Sequence, residues 1–256
     1  MTTPELDTHI ILIVAGAAAA GFVQGLSGFG FSLVAMSFWA WAIDPKLAAV
    51  MAVFGGLTGQ VMAAFTVSRD TDWKRLLPFL AGGLLGLPLG LLLLPRLDVQ
   101  LFKLFLGVLL AVWCPAMLFS GKLPRIRHGG RLADGTIGVA GGFMGALGGF
   151  SGVIPTLWCT LRGYEKGAQR AVIQNFNLAV LTVTMASYVA AGLVTRETLP
   201  MLAIVAPAAL ICAWLGGRLY TGISDLAFRR LVLSLLTCSG LAMLVSSVPG
   251  LLRRMG

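Results

Sequence analysis

Ten apolar segments, arranged in two sets of five, fill most of this 256-residue chain. Hydrophobic residues make up 57% of the sequence and charged residues 11%, whereas soluble domains carry roughly 25% charged residues. One crossing of a bilayer takes about 20 apolar residues. The pattern excludes a soluble globular protein and predicts an all-α polytopic membrane protein. The segments cover residues 10–25, 29–43, 47–68, 76–94, 99–119, 133–147, 150–162, 167–192, 198–216 and 226–247.

A glycine-rich stretch occurs twice, at a constant spacing of 121 residues. Gly21, Phe22, Leu26, Gly28 and Phe29 recur as Gly142, Phe143, Leu147, Gly149 and Phe150. Further matches near the ends of the two sets follow at a spacing of 127. The chain is therefore predicted to be a duplication, with a first transmembrane repeat in residues 1–120, a basic linker in 121–132 and a second transmembrane repeat in 133–256.

The first two segments of each set are only about 13 to 16 residues long, and a glycine-rich break separates them. Helices of that length do not comfortably span a hydrocarbon core of about 30 Å. We therefore expect each pair to form a re-entrant helical hairpin, followed by three spanning helices. Alternatively, both short helices cross the membrane completely. This also returns the chain to the face from which it entered, so the charge distribution does not distinguish the two arrangements.

Positive charge indicates which loops face the cytoplasm, because those loops carry the excess of lysine and arginine. If each short pair enters and leaves by one face, thirteen of the 19 cations lie on one face and six on the other. If each pair crosses once, the division is ten to nine. The first arrangement places the linker in the cytoplasm, both termini in the periplasm and the second repeat upside down. Inverted repeats are typical of transporters. The six cations on the periplasmic face are Lys46, Arg96, Lys103, Arg196, Arg253 and Arg254.

The two glycine breaks predict a cavity, because backbone without helical hydrogen bonds is tolerated at membrane depth only beside protein or trapped water. A helix that resumes after a break points free N–H groups and the positive end of its dipole into such a cavity, which favours an anion. The predicted donors are Ser27, Gly28, Phe29 and Gly30 in one break, and Gly149, Phe150, Ser151 and Gly152 in the other.

Close packing is the alternative explanation for these glycines, since small residues four positions apart bring membrane helices together. The pairs that fit this spacing are Gly21/Gly25, Gly86/Gly90, Gly138/Gly142 and Gly141/Gly145. Packing alone does not require the break to recur at a fixed spacing.

A polar stripe marks the helix predicted from about residue 167. Arg170, Gln174 and Asn177 share one face of this helix, and Asn175 lies on a neighbouring face. Arg170 also fits a simple anchor at the cytoplasmic surface, and the amides fit hydrogen bonds between helices. Gln24 and Gln60 are isolated and weaker candidates.

The sequence lacks the residues that most enzymes and ion-coupled sites need. Asp44, Asp98, Glu165 and Asp225 fall at predicted helix ends, so no proton relay or sodium cage is evident. No cluster of metal ligands occurs, and no metal or cofactor is predicted. Both breaks contain Gly-x-Ser-Gly, the pattern around the serine of rhomboid-type proteases, but a serine nucleophile needs a base. His9 and His128 lie outside the predicted spans, so an enzyme is not predicted.

Three stretches resemble the TauE/SafE sulfite exporter family of membrane permeases. They are Gly25 to Phe31, Gly141 to Gly152 and Tyr164 to Asn177. The resemblance extends over almost the whole chain. It implies a bacterial inner-membrane transporter for sulfite or a small organosulfonate such as sulfoacetate.

The sequence therefore predicts a secondary transporter for a small sulfur oxyanion or sulfonate, embedded in the lipid bilayer. The breaks form its site, and the stripe on the helix from about residue 167 supplies polar contacts. The net charge of +9 follows from cytoplasmic loops and predicts no nucleic acid partner. A passive channel for small anions or neutral solutes is the alternative.

Overall fold

The chain forms ten α-helices and no strand over the residues that the computed structural model describes, which are 3–66, 71–120, 125–126, 129–219 and 225–255. One 3-10 turn, Leu94–Arg96, follows the fourth helix. Most of the predicted linker, 121–124 and 127–128, lies outside the described residues. The helices are α1 Thr3–Ser27, α2 Phe31–Trp39, α3 Pro45–Thr66, α4 Trp73–Leu93, α5 Val99–Leu118, α6 Gly130–Gly148, α7 Val153–Leu161, α8 Lys166–Ala190, α9 Leu199–Leu219 and α10 Asp225–Met255.

Each predicted apolar segment coincides with one helix, so the helical class and the count of ten are confirmed for the described residues. The expected length is wrong for α1 and α6, which are 25 and 19 residues long. Polar residues before the apolar segment continue the helix, and His9–Ser27 alone is long enough to cross a membrane. By contrast, α2 and α7 have nine residues each, which at 1.5 Å per residue is about 14 Å.

Six of the described helices are long and apolar enough to cross a membrane. They are α1, α3, α4, α5, α8 and α9. Part of α10, Val232–Ser247, is a shorter apolar stretch. Large apolar side chains such as Leu85 and Leu92 on α4 are exposed on the outer surface, where hydrocarbon would cover them.

Each glycine break reverses the direction of the chain. In the first half α2 runs back along α1, because Trp39 Nε1 at the end of α2 donates to Leu12 O at 3.3 Å. In the second half α7 runs back along α6, where Trp158 Nε1 donates to Asp134 Oδ1 at 2.7 Å. The two breaks therefore form the tips of two helical hairpins.

The halves exchange partners rather than packing separately. The first helix of each half packs against the fourth helix of the other, giving the pairs α1 with α9 and α4 with α6. The fifth helices, α5 and α10, pack on each other, as do the third helices, α3 and α8. This reciprocal pattern places α3 and α8 beside both hairpins.

Glycines set the direction and closeness of these pairs. Along α4, successive glycines Gly82, Gly86 and Gly90 face residues of increasing number on α6, so the two helices run parallel. A methyl group added at Gly142 would lie 1.9 Å from Gly83 O. Comparable contacts occur at Gly21, Gly25, Gly86, Gly90 and Gly138. The packing alternative is therefore confirmed for these six glycines, none of which is among the predicted donors of the breaks.

Helices α5 and α10 run in opposite directions where they cross. The position of a methyl group on Gly107 is 3.0 Å from the side chain of Leu244, whereas that on Gly240 is 2.6 Å from Leu110 Cβ. As residue numbers rise along α5 from Gly107 to Leu110, those of the contacting residues on α10 fall from Leu244 to Gly240. The ends of the two halves are antiparallel.

Candidate functional site

The first break depends on glycine backbone geometry. Gly28 and Gly30 have φ values of +79° and +93°, and Gly149 in the second break has φ +79°, a region that side chains with a Cβ rarely adopt. At Gly30 the helix α2 begins, and the first helical bond runs from Val34 N–H to Gly30 O at 3.2 Å. The preceding N–H groups of α2 have no partner within the helix.

The two breaks come together. Ser32, in the first turn of α2, donates its hydroxyl to Gly149 O at 2.9 Å. Between the breaks lies a cavity of about 20 Å³, here called the break cavity, which has room for about one water molecule. The N-terminal turns of both α2 and α7 face it. Its lining is Gln24, Phe29, Gly30, Phe31, Ser32, Leu33, Gly56, Gln60, Gly149, Phe150, Gly152, Val153, Asn177 and Leu181.

The polar stripe of α8 faces both breaks. A methyl group added at Gly28 would lie 2.8 Å from Gln174 Nε2 and 3.3 Å from Arg170 Nε. One turn further along, Ser151 donates its hydroxyl to Asn177 Oδ1 at 2.8 Å. The structure therefore brings Arg170 and Gln174 to the first break and Asn177 to the second.

Six of the predicted residues do not line the break cavity, and Asn175 and Ser27 among them are turned to other partners. The six are Ser27, Gly28, Ser151, Arg170, Gln174 and Asn175. Asn175 points away from the cavity and donates its amide to Thr71 Oγ1 at 2.9 Å, in the segment before α4. Ser27 is exposed, and its hydroxyl donates to Val23 O at 2.8 Å and to Phe29 O. Ser27 thus closes the end of α1 and does not line the break cavity.

The aromatic residues of the breaks are wedged into the protein. Phe29 packs edge-on against Trp113 of α5, with ring centroids 6.0 Å apart. Phe150 is buried and lies against Phe105 at 6.2 Å. Trp113 also donates its Nε1 to Val153 O at 2.7 Å, at the start of α7. Helix α5 thereby supports both hairpin tips.

Gln24 and Gln60 are more central than their sequence context indicates. Gln24 Nε2 donates to Gly56 O at 2.9 Å, and Gln60 Nε2 donates to Gly28 O at 3.0 Å. These two reciprocal hydrogen bonds, here called the amide clasps, join α1 to α3 beside the break cavity. Ser32 was not identified from the sequence as a residue of the site. A hydroxyl directly after the glycines, in the first turn of the short helix, is the signal that identifies it.

Gln174 has an amide group with no hydrogen-bond partner. The residue is 1% exposed, and neither Oε1 nor Nε2 is paired. The Oε1 atom of Gln24 is also buried without a partner. An unpaired buried polar group costs about 1–3 kcal/mol, so these groups indicate a place where a ligand or water binds.

Two larger cavities are lined by Gln174, which does not line the break cavity. One, of about 310 Å³, is here called the side cavity and is enclosed by α1, α3, α8 and α9. The other, of about 1410 Å³, is here called the vestibule and lies beside the starts of α4, α6 and α8. Arg170 and Gln174 line both. The side cavity is lined by Gln24, Gly25, Gly28, Gly59, Gln60, Met62, Ala63, Thr66, Arg170, Gln174, Ala213, Trp214, Gly217 and Arg218.

The vestibule is basic. Six cations and three carboxylates line it over the described residues. Its charged residues are Lys74, Arg75, Arg125, Arg131, Arg162, Arg170, Asp72, Asp134 and Glu165. Burial raises the pKa of Tyr164, which also lines the vestibule, and Arg75 stacks on the Tyr164 ring at 5.2 Å. The net positive lining attracts small anions toward Gln174.

Residues at equivalent positions of the first repeat are apolar. The spacing of 121 residues matches Arg170, Gln174 and Asn177 with Ala49, Val53 and Gly56. All three are buried, and Ala49 and Val53 are fully inaccessible. On α8, Arg170 and Gln174 line the vestibule and Asn177 lines the break cavity, whereas the three matched residues of α3 carry no polar side chain.

Neither break serine belongs to a catalytic pair among the described residues. Ser27 bonds to its own backbone and Ser151 donates to Asn177. His128 lies outside the described residues. Within the part of the chain that the structure covers, no group of three His, Cys, Asp or Glu residues is placed to hold a metal ion.

Comparison with known proteins assigns a family. The sequence model described as Sulfite exporter TauE/SafE matches residues 12–243, nearly the whole chain. The chain belongs to this family. No curated protein and no solved structure matches it. Membership of a transporter family, together with the six apolar helices, makes this TauE/SafE family chain a multi-pass membrane protein.

Proposed function

We propose that this protein is a secondary transporter that carries a small sulfur-containing anion, sulfite or an organosulfonate, through the break cavity. The strongest support for the proposal is that the N-termini of α2 and α7 face a single cavity, which is also lined by Asn177 from the polar stripe of α8. Free N–H groups and helix dipoles favour an anion there. The description of the family as sulfite exporters supports a sulfur oxyanion as the substrate.

Within this proposal the two halves are inverted repeats whose hairpins enter from opposite faces. The antiparallel crossing of α5 with α10 and the parallel pair α4 with α6 both fit that arrangement. So does the pair α1 with α9, which is also parallel because Gly21 meets Ala209 and Gly25 meets Ala213. The repeats comprise residues 1–120 and 133–256. The vestibule and the linker 121–132 face the cytoplasm of a bacterium, both termini are periplasmic, and the membrane is the inner membrane.

The proposed site residues act in three ways. Phe29, Gly30, Gly149, Phe150 and Gly152 form walls of the break cavity. The predicted donors Gly28, Phe29, Gly149 and Phe150 are already used, because their N–H groups donate to Gln24 O, Ser27 Oγ, Gly145 O and Met144 O. Gly30 and Gly152 are left as the proposed backbone donors. Ser151 orients Asn177, which contacts the anion in the break cavity. Gln174 and Arg170 contact the anion on its way there, since they line the vestibule and the side cavity. A passive channel is the second candidate, but the break cavity has room for about one water molecule. A closed constriction between the faces favours a carrier over an open pore.

Uptake into proteoliposomes tests the function directly. We expect saturable flux of labelled sulfite or a labelled two-carbon sulfonate, reduced by excess unlabelled substrate. An imposed proton gradient then shows whether flux is coupled. Flux that never saturates would support the channel instead, and absence of both fluxes would refute this choice of substrate.

The proposed topology predicts that Ile126 and Glu197 lie on opposite sides of the membrane. In a background with all four cysteines replaced by alanine, each position is changed to cysteine and labelled with an impermeant maleimide. In sealed right-side-out vesicles we expect Glu197→Cys to react and Ile126→Cys to react only after permeabilisation. If each hairpin crossed the membrane once, both would react from the same side, and equal labelling would exclude the inverted arrangement.

Vestibule charge is expected to control the capture of substrate. Lys74→Glu with Arg131→Glu changes two exposed vestibule residues and should raise the KM for flux from the vestibule side by roughly 3- to 10-fold at low salt, with little change in kcat. The effect should shrink as ionic strength rises. Arg96→Glu with Arg196→Glu, exposed residues away from the vestibule, is the matched control. An equal KM change in both variants would reject electrostatic capture.

A further inference from the structure

The side cavity has the composition of an anion site that is distinct from the break cavity. Arg170 and Arg218 line it, and no Asp or Glu does so among the described residues. Arg218 is held over the ring of Trp214 at 3.9 Å. Met62 and Ala213 supply apolar walls. Small-molecule sites commonly combine such apolar walls with a few polar groups.

Gln174 provides the independent indication of a ligand. Its side chain is 1% exposed, lines the side cavity, and has neither amide atom paired. Buried amides normally have partners. An oxyanion in the side cavity would accept a hydrogen bond from Nε2 while the arginines balance its charge.

A physical barrier separates the side cavity from the break cavity. Gln24 and Gln60 line both cavities, and their amide clasps to Gly56 O and Gly28 O close the space between them. The side cavity has a volume of about 310 Å³ and the break cavity about 20 Å³. Only the side cavity has room for an oxyanion while the clasps are closed.

We infer that the side cavity is a second anion site, in which Arg170, Gln174 and Arg218 hold the substrate oxyanion before the amide clasps open to the break cavity. This inference rests on the proposed function, since it assigns an order of occupancy to the same substrate. Transport then has two binding steps, and the glutamines form the gate between them.

Trp214 makes the first step measurable without flux. Titration of the purified full-length protein with sulfite should give a saturable change in tryptophan fluorescence that Trp214→Phe removes. Gln174→Leu and Arg218→Gln should each raise the apparent Kd by about 10-fold or more, the effect of one hydrogen bond to a charged group. Asn177→Leu, which alters only the break cavity, should lower flux by roughly 10- to 100-fold but leave this Kd within about twofold.

Two results with these variants would overturn the inference: an unchanged Kd in both Gln174→Leu and Arg218→Gln, or a Kd that Asn177→Leu raises as much as Gln174→Leu does. Titrations with sulfate and chloride distinguish failure of the second anion site from failure of the transport proposal. Saturable sulfite flux without any Trp214 response to the three anions would reject the side site and keep the carrier. A Trp214 response to sulfate or chloride in protein without sulfite flux would keep the site and reject sulfite as cargo.

Discussion

Asn177→Leu is expected to lower sulfite flux by roughly 10- to 100-fold while leaving a folded, membrane-inserted protein. Asn177 is 4% exposed and lines the break cavity beside the start of α7. A hydrogen bond to a charged group is worth about 1.5–3 kcal/mol, and each 1.4 kcal/mol corresponds to about tenfold. Leucine has a similar size but neither donates nor accepts.

The structural cost of this change is of similar size, but it is subtracted from a total folding stability of about 5–15 kcal/mol, so the protein stays folded. Asn177 Oδ1 accepts one hydrogen bond, from the Ser151 hydroxyl, and losing the acceptor costs about 1–3 kcal/mol. Size-exclusion profiles and surface expression should therefore match those of the parent. Flux is measured in proteoliposomes at equal protein content.

Asn175→Leu is the matched control, since it makes the same substitution two residues earlier on α8. Asn175 bonds to Thr71 and does not line any of the three cavities. We expect flux within about twofold of the parent. Equal losses in the two variants would show that the amides of α8 serve helix packing, and unchanged flux in Asn177→Leu would remove α8 from the break site.

The helices could be predicted from the sequence because hydrocarbon imposes a simple rule on composition. Runs of apolar residues ended by glycine or charge located all ten helices. The length of α1 could not be predicted in this way, because the residues before its apolar segment include Thr3, Glu5 and Asp7 and are nevertheless helical. Apolarity reports burial in lipid, whereas a helix continues for as long as its backbone bonds allow.

Only part of the candidate site could be predicted from the sequence. The stripe on α8 follows from helical periodicity, and the glycines of the breaks follow from the repeat. The partners Gln24 and Gln60 could not be assigned, because their role depends on α1 and α3 lying side by side. Each glutamine donates to a backbone carbonyl 32 residues away, and no local pattern encodes that distance.

The repeated glycines prove to have two separate roles, and Gly21→Ala with Gly142→Ala tests the packing role. These residues are equivalent in the repeat, and each meets the backbone of the fourth helix of the other half. A methyl group would lie 2.4 Å from Ala209 O at Gly21 and 1.9 Å from Gly83 O at Gly142. Backbone atoms cannot rotate aside, so the helices must separate.

Each single variant is expected to lose about 3 kcal/mol, at the upper end of the usual overpacking range, and the double variant should yield no monodisperse protein after detergent extraction. Gly167→Ala is the control, because a methyl group there meets nothing within 4 Å, and alanine favours a helix by about 1 kcal/mol. Thermal unfolding of the single variants measures the difference. Similar losses at Gly21 and Gly142 would mean that the duplication preserves the contact between halves, whereas stable variants at both would contradict the close approach of α1 to α9 and of α4 to α6.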